Sequence, residues 1–107
     1  MQIIGIDPGL RKTGWGIVSV EGNIITHVSN GTLKSSESND LSQRLLEIFV
    51  QLVKVIEDFK PQVAAVENTF INKDAAGALK LGQARAIALL APAKLNLPVF
   101  EYAPNTI

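Results

Sequence analysis

The first third of the chain alternates short apolar runs with polar breaks, which is typical of β-strands. Residues 2–6 are almost entirely apolar, and residues 13–20 and 24–35 form two further strand-like segments. The turn residues Glu21-Gly22-Asn23 separate the second segment from the third. The pattern therefore predicts three consecutive strands that pair as an antiparallel meander.

The middle of the chain has the spacing of an amphipathic helix. Between residues 40 and 59, apolar side chains recur three and four positions apart, which places them on one helical face. Asn39 or Asp40 can cap the helix, and Lys60-Pro61 ends it. The apolar face consists of Leu41, Leu45, Ile48, Leu52, Ile56 and Phe59.

A strand, a helix and a further strand follow. Residues 63–67 are a short strand, residues 74–91 an Ala-rich helix capped by Asp74, and residues 98–102 a last strand. Pro92 is expected to bend or end that helix. The order predicts an α/β fold: a mixed five-stranded sheet, three strands antiparallel and two added parallel, flanked by helices. Residues 103–107 resemble the start of another helix, so we expect the domain to be incomplete at its C-terminus.

Composition narrows the class of protein. A chain of 107 residues with 47% apolar residues is long enough for one core, and its apolar runs are too short for a membrane span. It has no cysteine, which excludes disulfides and thiolate metal sites and fits a cytoplasmic protein. Ten basic and ten acidic residues cancel, so a nucleic-acid partner would need local basic groups or metal ions.

Two strands end on a carboxylate. Asp7 ends the first strand before Pro8-Gly9, where the sequence suits a type II turn, and Glu67 ends the fourth strand. If these strands are parallel neighbours, both carboxylates lie at the same edge of the sheet, where oxygen ligands suit Mg²⁺ or Mn²⁺. Taken singly, each acid is also compatible with a turn former or a solvated strand end. Their matching positions favour a metal site.

Three segments carry a resemblance to a known family. "GIDPGLRKTGWG", "VENTFINKDAAGALKLGQARA" and "LPVFEYAPN" resemble the RuvC family of bacterial crossover-junction (Holliday junction) endonucleases, which has a ribonuclease-H-like fold. The resemblance implies a homodimeric, Mg²⁺-dependent enzyme that nicks two strands of a four-way DNA junction symmetrically. It also implies work with the RuvA–RuvB branch-migration machinery. Two metal ions would activate a water and stabilise the leaving oxygen.

The resemblance assigns catalytic and metal-binding roles to Asp7 and Glu67. The family's two remaining acids lie on a C-terminal helix beyond residue 107, so residues 1–107 alone are expected to be inactive or weakly active. Phe70 matches an aromatic residue near the junction's branch point, although it can instead pack under its own loop. Phosphate contact and an ordinary solvated face are both open for the basic residues near the site. These residues are Arg11, Lys12, Lys80 and Arg85, whereas Lys73 sits in the active-site loop and is expected to contact phosphate.

Two other classes of protein remain as alternatives. The segment "GIDPG…TGWG" also resembles the first phosphate loop of the actin, chaperone-ATPase and sugar-kinase superfamily, which shares this fold. Those enzymes need two such domains, and 107 residues supply less than one complete copy. The chain is also compatible with a fragment that dimerises or binds DNA without cleaving it. ATP binding or a metal-dependent cleavage assay separates these alternatives from a junction endonuclease.

Overall fold

The protein forms one five-stranded mixed sheet with two helices in a computed structural model that describes residues 1–68 and 74–103. The strands are β1 (Gln2–Asp7), β2 (Lys12–Glu21), β3 (Ile24–Lys34), β4 (Val63–Glu67) and β5 (Val99–Tyr102). The helices are α1 (Leu41–Phe59) and α2 (Ala75–Lys94). The sheet order is β3-β2-β1-β4-β5, with β1 antiparallel to β2 and parallel to β4. This arrangement confirms the predicted α/β fold.

The two faces of the sheet differ in what covers them. Side chains alternate between faces along a strand, and Ile4 and Ile6 of β1 are buried while Asp7 is exposed. The residues opposite Ile4 and Ile6 on the neighbouring strands include Ile17 and Val66, which are also buried. These residues form the face toward the helices, which we call the covered face. The opposite face, which carries Asp7, is the open face.

Both described helices pack on the covered face and share one core with it. Helix α1 contributes Ile48, Leu52 and Ile56, each 3% exposed or less, and α2 contributes Ala88 and Ala91. The spacing of these residues is the helical spacing seen in the sequence, so the predicted apolar face of α1 is confirmed at its centre. Neither described helix combines the length and apolar character that crossing a lipid bilayer requires.

The two helix ends differ in detail from the prediction. Asp40 occupies the N-cap position of α1, but its side chain makes no capping hydrogen bond, and Asn39 instead donates to Glu47. Asp74 caps α2 as predicted and accepts from the backbone N–H of Gly77. Helix α2 continues to Lys94, two residues beyond Pro92. A proline in the last turn removes one donor without unwinding that turn, because the backbone N–H groups of Leu95 and Leu97 both donate to the Pro92 carbonyl.

The predicted type II turn after Asp7 is wrong. Such a turn needs a positive φ at its third residue, and among the described glycines only Gly22, with φ 61°, has one. Gly9 is required for a different reason: a Cβ added there would lie 2.3 Å from the backbone oxygen of Lys12. The loop from β1 to β2 is therefore a tight reversal in which two backbone segments touch.

Candidate metal and DNA site

Asp7 and Glu67 lie side by side at one end of the open face. Strands β1 and β4 are parallel, and their register pairs Ile3 with Val63 and continues to Ile6 with Val66. The next residues in that register are Asp7 and Glu67, so the carboxyl ends of two adjacent strands each present a carboxylate. The two carboxylates therefore lie at the same edge of the sheet, as their positions at the ends of the first and fourth strands predicted.

The two carboxyl groups are close enough to perturb each other. Burial, the negative charge of Asp7 and a side-chain hydrogen bond with Asp7, in decreasing order, raise the pKa of Glu67 above its ordinary value of 4.5. Each cause disfavours the charged form of Glu67 when no cation is present. A divalent cation between the two groups would reverse this preference, because it stabilises both charged carboxylates.

Tyr102 is a third polar side chain at the same end, and no sequence pattern singled it out. In the parallel pairing of β4 with β5, Tyr102 is the direct partner of Glu67. Partial burial, followed by the charges of Glu67 and Asp7, raises the pKa of the Tyr102 hydroxyl. The phenol therefore stays protonated and can donate a hydrogen bond near the carboxylates. Only the strand register, which the sequence does not fix, brings it there.

Small residues lie beside the carboxylates on β1, β2 and β4 of the open face. Gly14 is the direct partner of Asp7, and Gly16 is the partner of Gly5. On the other side, Ala65 precedes Glu67 by two residues and pairs with Gly5. A Cβ added at Gly14 would still lie 3.8 Å from the Cβ of Asp7. Because these positions lack large side chains, a bulky substrate can approach the carboxylates from the open face.

A buried hydroxyl fixes the loop that follows Asp7. Thr13 is 0% exposed, and its Oγ1 donates to the Gly9 carbonyl at 2.7 Å. The same oxygen accepts from the Gly9 N–H at 3.2 Å. One side chain thus satisfies both polar backbone groups of Gly9 and holds the loop against the start of β2. No feature of the sequence singled out Thr13, since a threonine at a strand end is common.

A second anchor holds the same loop from the β3 side. Ser35 is 8% exposed, and its hydroxyl donates to the Leu10 carbonyl at 2.6 Å. Arg44 of α1 donates through Nε to the Ser35 oxygen at 3.0 Å. The loop is therefore fastened to β2, to β3 and, through Ser35, to α1. Rigid support of this kind positions the Asp7 carboxylate.

Asp7 and Glu67 provide some of the oxygen ligands that a hard divalent cation needs. Two carboxylates supply up to four oxygen ligands of the type that Mg²⁺ and Mn²⁺ prefer. Within residues 1–68 and 74–103, no group of three acidic, His or Cys side chains could hold a metal ion together. Asp7 and Glu67 would therefore supply part of a coordination shell, which water, substrate phosphate or other ligands complete.

The predicted DNA-contacting residues have different surroundings. Phe70 and Lys73 lie outside the described residues. Arg11 and Lys12 are exposed in the loop and at the start of β2, and Lys80 is exposed on α2. Arg85 pairs with Glu101 of β5, and its side chain is only 20% exposed. A phosphate would therefore compete with Glu101 for Arg85, and contact between Arg85 and DNA stays a prediction.

Comparison with known proteins decides the family. Residues 3–107 match the family described as "Crossover junction endodeoxyribonuclease RuvC". The chain belongs to the RuvC family. It is 58% identical over 107 residues to the crossover junction endodeoxyribonuclease RuvC of Bartonella henselae and 57% identical to that of Bartonella quintana. It spans 63% of the length of both relatives.

A solved RuvC structure shows the same fold. The structure described as "T. thermophilus RuvC in complex with Holliday junction substrate" matches with a TM-score of 0.89 and 30% sequence identity. The match covers 97% of this chain and 64% of that one. This confirms the ribonuclease-H-like fold and disfavours the ATP-binding alternative. Nucleases of the RuvC family are metal-dependent, which agrees with the carboxylate pair.

Proposed function

We propose that the protein resolves four-way (Holliday) DNA junctions by metal-dependent nicking, in recombination and repair. The observation that carries this proposal is the pair Asp7 and Glu67, which lies at the open end of a RuvC-family sheet with small residues beside it on β1, β2 and β4. Residues 1–107 would form part of a single ribonuclease-H-like nuclease domain in the cytoplasm. The RuvA–RuvB branch-migration complex would be its partner.

Asp7 and Glu67 would hold Mg²⁺, with Mn²⁺ as a substitute. When bound, such cations supply the charge that activates a water and stabilises the leaving 3′ oxygen. Asp7 and Glu67 would bind and orient the cations. Thr13 keeps the Asp7 loop in place. The Tyr102 hydroxyl lies beside Glu67 and can donate a hydrogen bond to a substrate or carboxylate oxygen. Hydrolysis by this route needs no covalent protein nucleophile, and the chain has no cysteine.

DNA contacts would surround this pair. Lys12 lies on the open face two residues from Gly14, the partner of Asp7, and Arg11 precedes it in the loop. Lys80 is exposed on α2, which begins at the same end of the sheet. Together with Lys73, these groups would offset phosphate charge. Phe70 would stack on bases at the branch point, because an aromatic face can replace lost base stacking.

Symmetric nicking of two strands needs two sites, and α2 offers a surface for a homodimer. Six small or apolar residues of α2 are exposed at spacings of three and four, including Leu79 at 64% and Leu90 at 54% exposure. They are Ala75, Leu79, Gly82, Ala86, Leu90 and Ala93. A Cβ at Gly82 would meet no atom within 4 Å, so Gly82→Glu should keep the protomer folded and lower the dimer fraction in sedimentation.

An isolated polypeptide of residues 1–107 would carry only part of the proposed metal site. Two carboxylates leave most of a magnesium shell to water and phosphate, and Mg²⁺ dehydrates reluctantly. We therefore expect a purified polypeptide of residues 1–107 to cleave little or no junction, even with abundant Mg²⁺ or Mn²⁺. Near-native turnover by this polypeptide would mean that another of its acids completes the site.

A cleavage assay tests the proposed function directly. The full-length protein is titrated with Mg²⁺ and then Mn²⁺ on an end-labelled four-way junction, with a linear duplex of the same sequence as control. We expect paired nicks in opposite strands of the junction and little cutting of the duplex. Junction binding without cleavage at any metal concentration would favour the non-catalytic alternative. Tight ATP binding would favour the phosphate-loop alternative.

A further inference from the structure

A basic cleft lies next to the carboxylate pair, at the same end of the sheet. Its volume is about 500 Å³, and it is lined by Arg11, Lys12, Lys34, Ser35 and Glu37. Strand β2 begins and β3 ends at this cleft, while β1 ends nearby at Asp7. The lining carries three cationic side chains and one carboxylate, in a chain whose formal net charge is zero. We call these five residues the basic cleft.

Two lysines of the cleft face each other across neighbouring strands. In the antiparallel pairing of β2 with β3, Lys12 is the direct partner of Lys34, and Gly14 is the partner of Thr32. Like charges directly opposite each other destabilise a sheet. The pair shares the open face with Asp7, because Gly14 pairs with Asp7 and lies two residues from Lys12. From strand geometry, the Cα atoms of Lys12 and Lys34 lie about 8 Å and about 12 Å from that of Asp7.

The only carboxylate of the cleft lining is paired with an exposed cation. Glu37 forms an ion pair with Arg11, in which its Oε1 lies 3.1 Å from Nε. The Arg11 side chain is 83% exposed and the Glu37 side chain 64% exposed. An ion pair this exposed contributes little to stability. It neutralises Arg11 until a stronger anion arrives. Beneath it, Ser35 is buried and bonded to the Leu10 carbonyl, so the base of the cleft is fixed.

We propose that the basic cleft binds a phosphodiester group of the substrate DNA strand, with Lys34 as a phosphate contact and Glu37 as a counter-ion that the phosphate displaces. This proposal rests on the proposed function and extends it to a second phosphate position. The Cα separations of Lys12 and Lys34 from Asp7 correspond to about two to four nucleotides along a DNA strand. The repulsion between the two lysines would decrease on binding, because the phosphate places a negative charge close to both ammonium groups.

Binding measurements on charge variants of the full-length protein test the cleft. Fluorescence anisotropy with a labelled four-way junction is recorded over a range of salt concentrations. Loss of one phosphate contact lowers the salt slope by about 0.9 and weakens binding by about fivefold near 0.15 M salt. We expect these changes for Lys34→Gln and recovery in Lys34→Arg. Glu37→Gln should bind more tightly than wild type, because Arg11 is then free to contact phosphate.

Lys94→Gln is the matched control. It removes the same charge from an exposed residue in the last turn of α2, which ends at the opposite end of the sheet. Wild-type affinity and salt slope in Lys34→Gln, or equal weakening in Lys94→Gln, would overturn the proposal. Unchanged or weaker binding by Glu37→Gln would overturn the counter-ion role.

The outcomes also separate the cleft from the proposed function. If wild type cleaves junctions and Lys34→Gln binds them normally, only the cleft proposal fails. If wild type binds DNA without cleaving it and Lys34→Gln weakens that binding, the cleft stands and the endonuclease function fails. If wild type binds neither junction nor linear DNA, both fail.

Discussion

The same strands build both faces of the sheet, but one face forms the core and the other carries the candidate site. Along β1, Ile4 and Ile6 point into the core and are 1% exposed or less, whereas Gly5 and Asp7 face the open side. Along β4, Val66 is buried and Glu67 is on the open side. Because the side-chain period of a strand is two, each strand serves the fold and the candidate site at once.

The two faces differ in whether their side-chain contacts stabilise or destabilise the fold. The covered face joins apolar side chains that stabilise each other, and they form a single cluster with both described helices. The open face instead holds two like-charged pairs on neighbouring strands: Asp7 beside Glu67, and Lys12 opposite Lys34. Neither pair favours folding. Such pairs are explained by ligands, a cation for the carboxylates and an anion for the lysines.

The largest expected effect comes from removing one open-face carboxylate. Asp7→Asn should abolish junction cleavage while sparing junction binding, because Asp7 is a proposed metal ligand and not a proposed phosphate contact. Mutating a residue that only supports a metal ligand already lowers metal affinity or activity roughly 10–100-fold. We therefore expect the cleavage rate of Asp7→Asn to decrease by at least about 100-fold. Single-turnover cleavage and anisotropy on the full-length protein measure the two properties separately.

Asp40→Asn controls for the change of charge, since the Asp40 side chain makes no capping hydrogen bond. It should cleave like wild type. An Asp7→Asn protein that loses junction binding but keeps its turnover on bound junction would contradict the metal-ligand role of Asp7.

Ile6, which precedes Asp7 and lies on the covered face, should affect stability and leave cleavage nearly unchanged. Ile6 is 1% exposed, and Ile6→Ala should lower the free energy of unfolding by about 2–5 kcal/mol through lost burial and a cavity. Cleavage per folded molecule should change little at a temperature where the variant is folded. Urea unfolding and an active-site-normalised cleavage rate test this. A normal unfolding free energy with lost cleavage would mean that the division between the faces is wrong.

The alternation that separates the faces could be predicted from the sequence, and so could the carboxylate pair. Apolar runs gave the five strands and two helices, and the crossover rule made β1 and β4 parallel neighbours, which brought Asp7 next to Glu67. Periodicity and topology predict which strands are neighbours and which of their ends carry an acid. The register of β1 with β4 then places the two carboxylates on the same face.

Features that depend on register or side-chain rotamers were missed. Tyr102 meets Glu67 only because β5 pairs with β4 in one particular register. Thr13 replaces the expected type II turn with a side-chain clamp on Gly9, which no turn propensity predicts. The basic cleft depends on Lys12 lying opposite Lys34 across a long hairpin, and that hairpin contains an irregularity between Ile17 and Val18. An irregularity of this kind shifts the pairing without a clear sequence signal.

An intermediate effect is expected from Thr13, a covered-face residue whose hydroxyl holds the loop that follows Asp7. Thr13→Val keeps the shape of the side chain but leaves the Gly9 N–H and carbonyl without their partner. Unsatisfied buried groups cost about 1–3 kcal/mol, which corresponds to roughly a tenfold lower cleavage rate if the loop shifts. The Mg²⁺ concentration for half-maximal cleavage should rise as well. Thr13→Ser retains the hydroxyl and should restore both values.

Equal defects in Thr13→Val and Thr13→Ser would contradict this role, because they would point to the methyl group of Thr13 and thus to packing. A normal metal requirement in Thr13→Val would show that the clamp does not position Asp7.

The smallest effect concerns the titration of Glu67, which reports directly on the contact between the two carboxylates. Burial and Asp7 raise the pKa of Glu67, so the folded, metal-free protein holds this proton more tightly than the unfolded chain does. The resulting stabilisation is present at pH values below the unfolded pKa and is lost as the pH rises through the folded pKa. Asp7→Asn removes the neighbouring charge and should lower the pKa of Glu67, as measured by NMR of the side-chain carboxyl carbon. In wild type, added Mg²⁺ should lower the apparent pKa too, because a shared cation favours both charged forms. If Asp7→Asn lowers the pKa but Mg²⁺ does not, the carboxylates are neighbours that share no cation. If neither does, their contact is wrong.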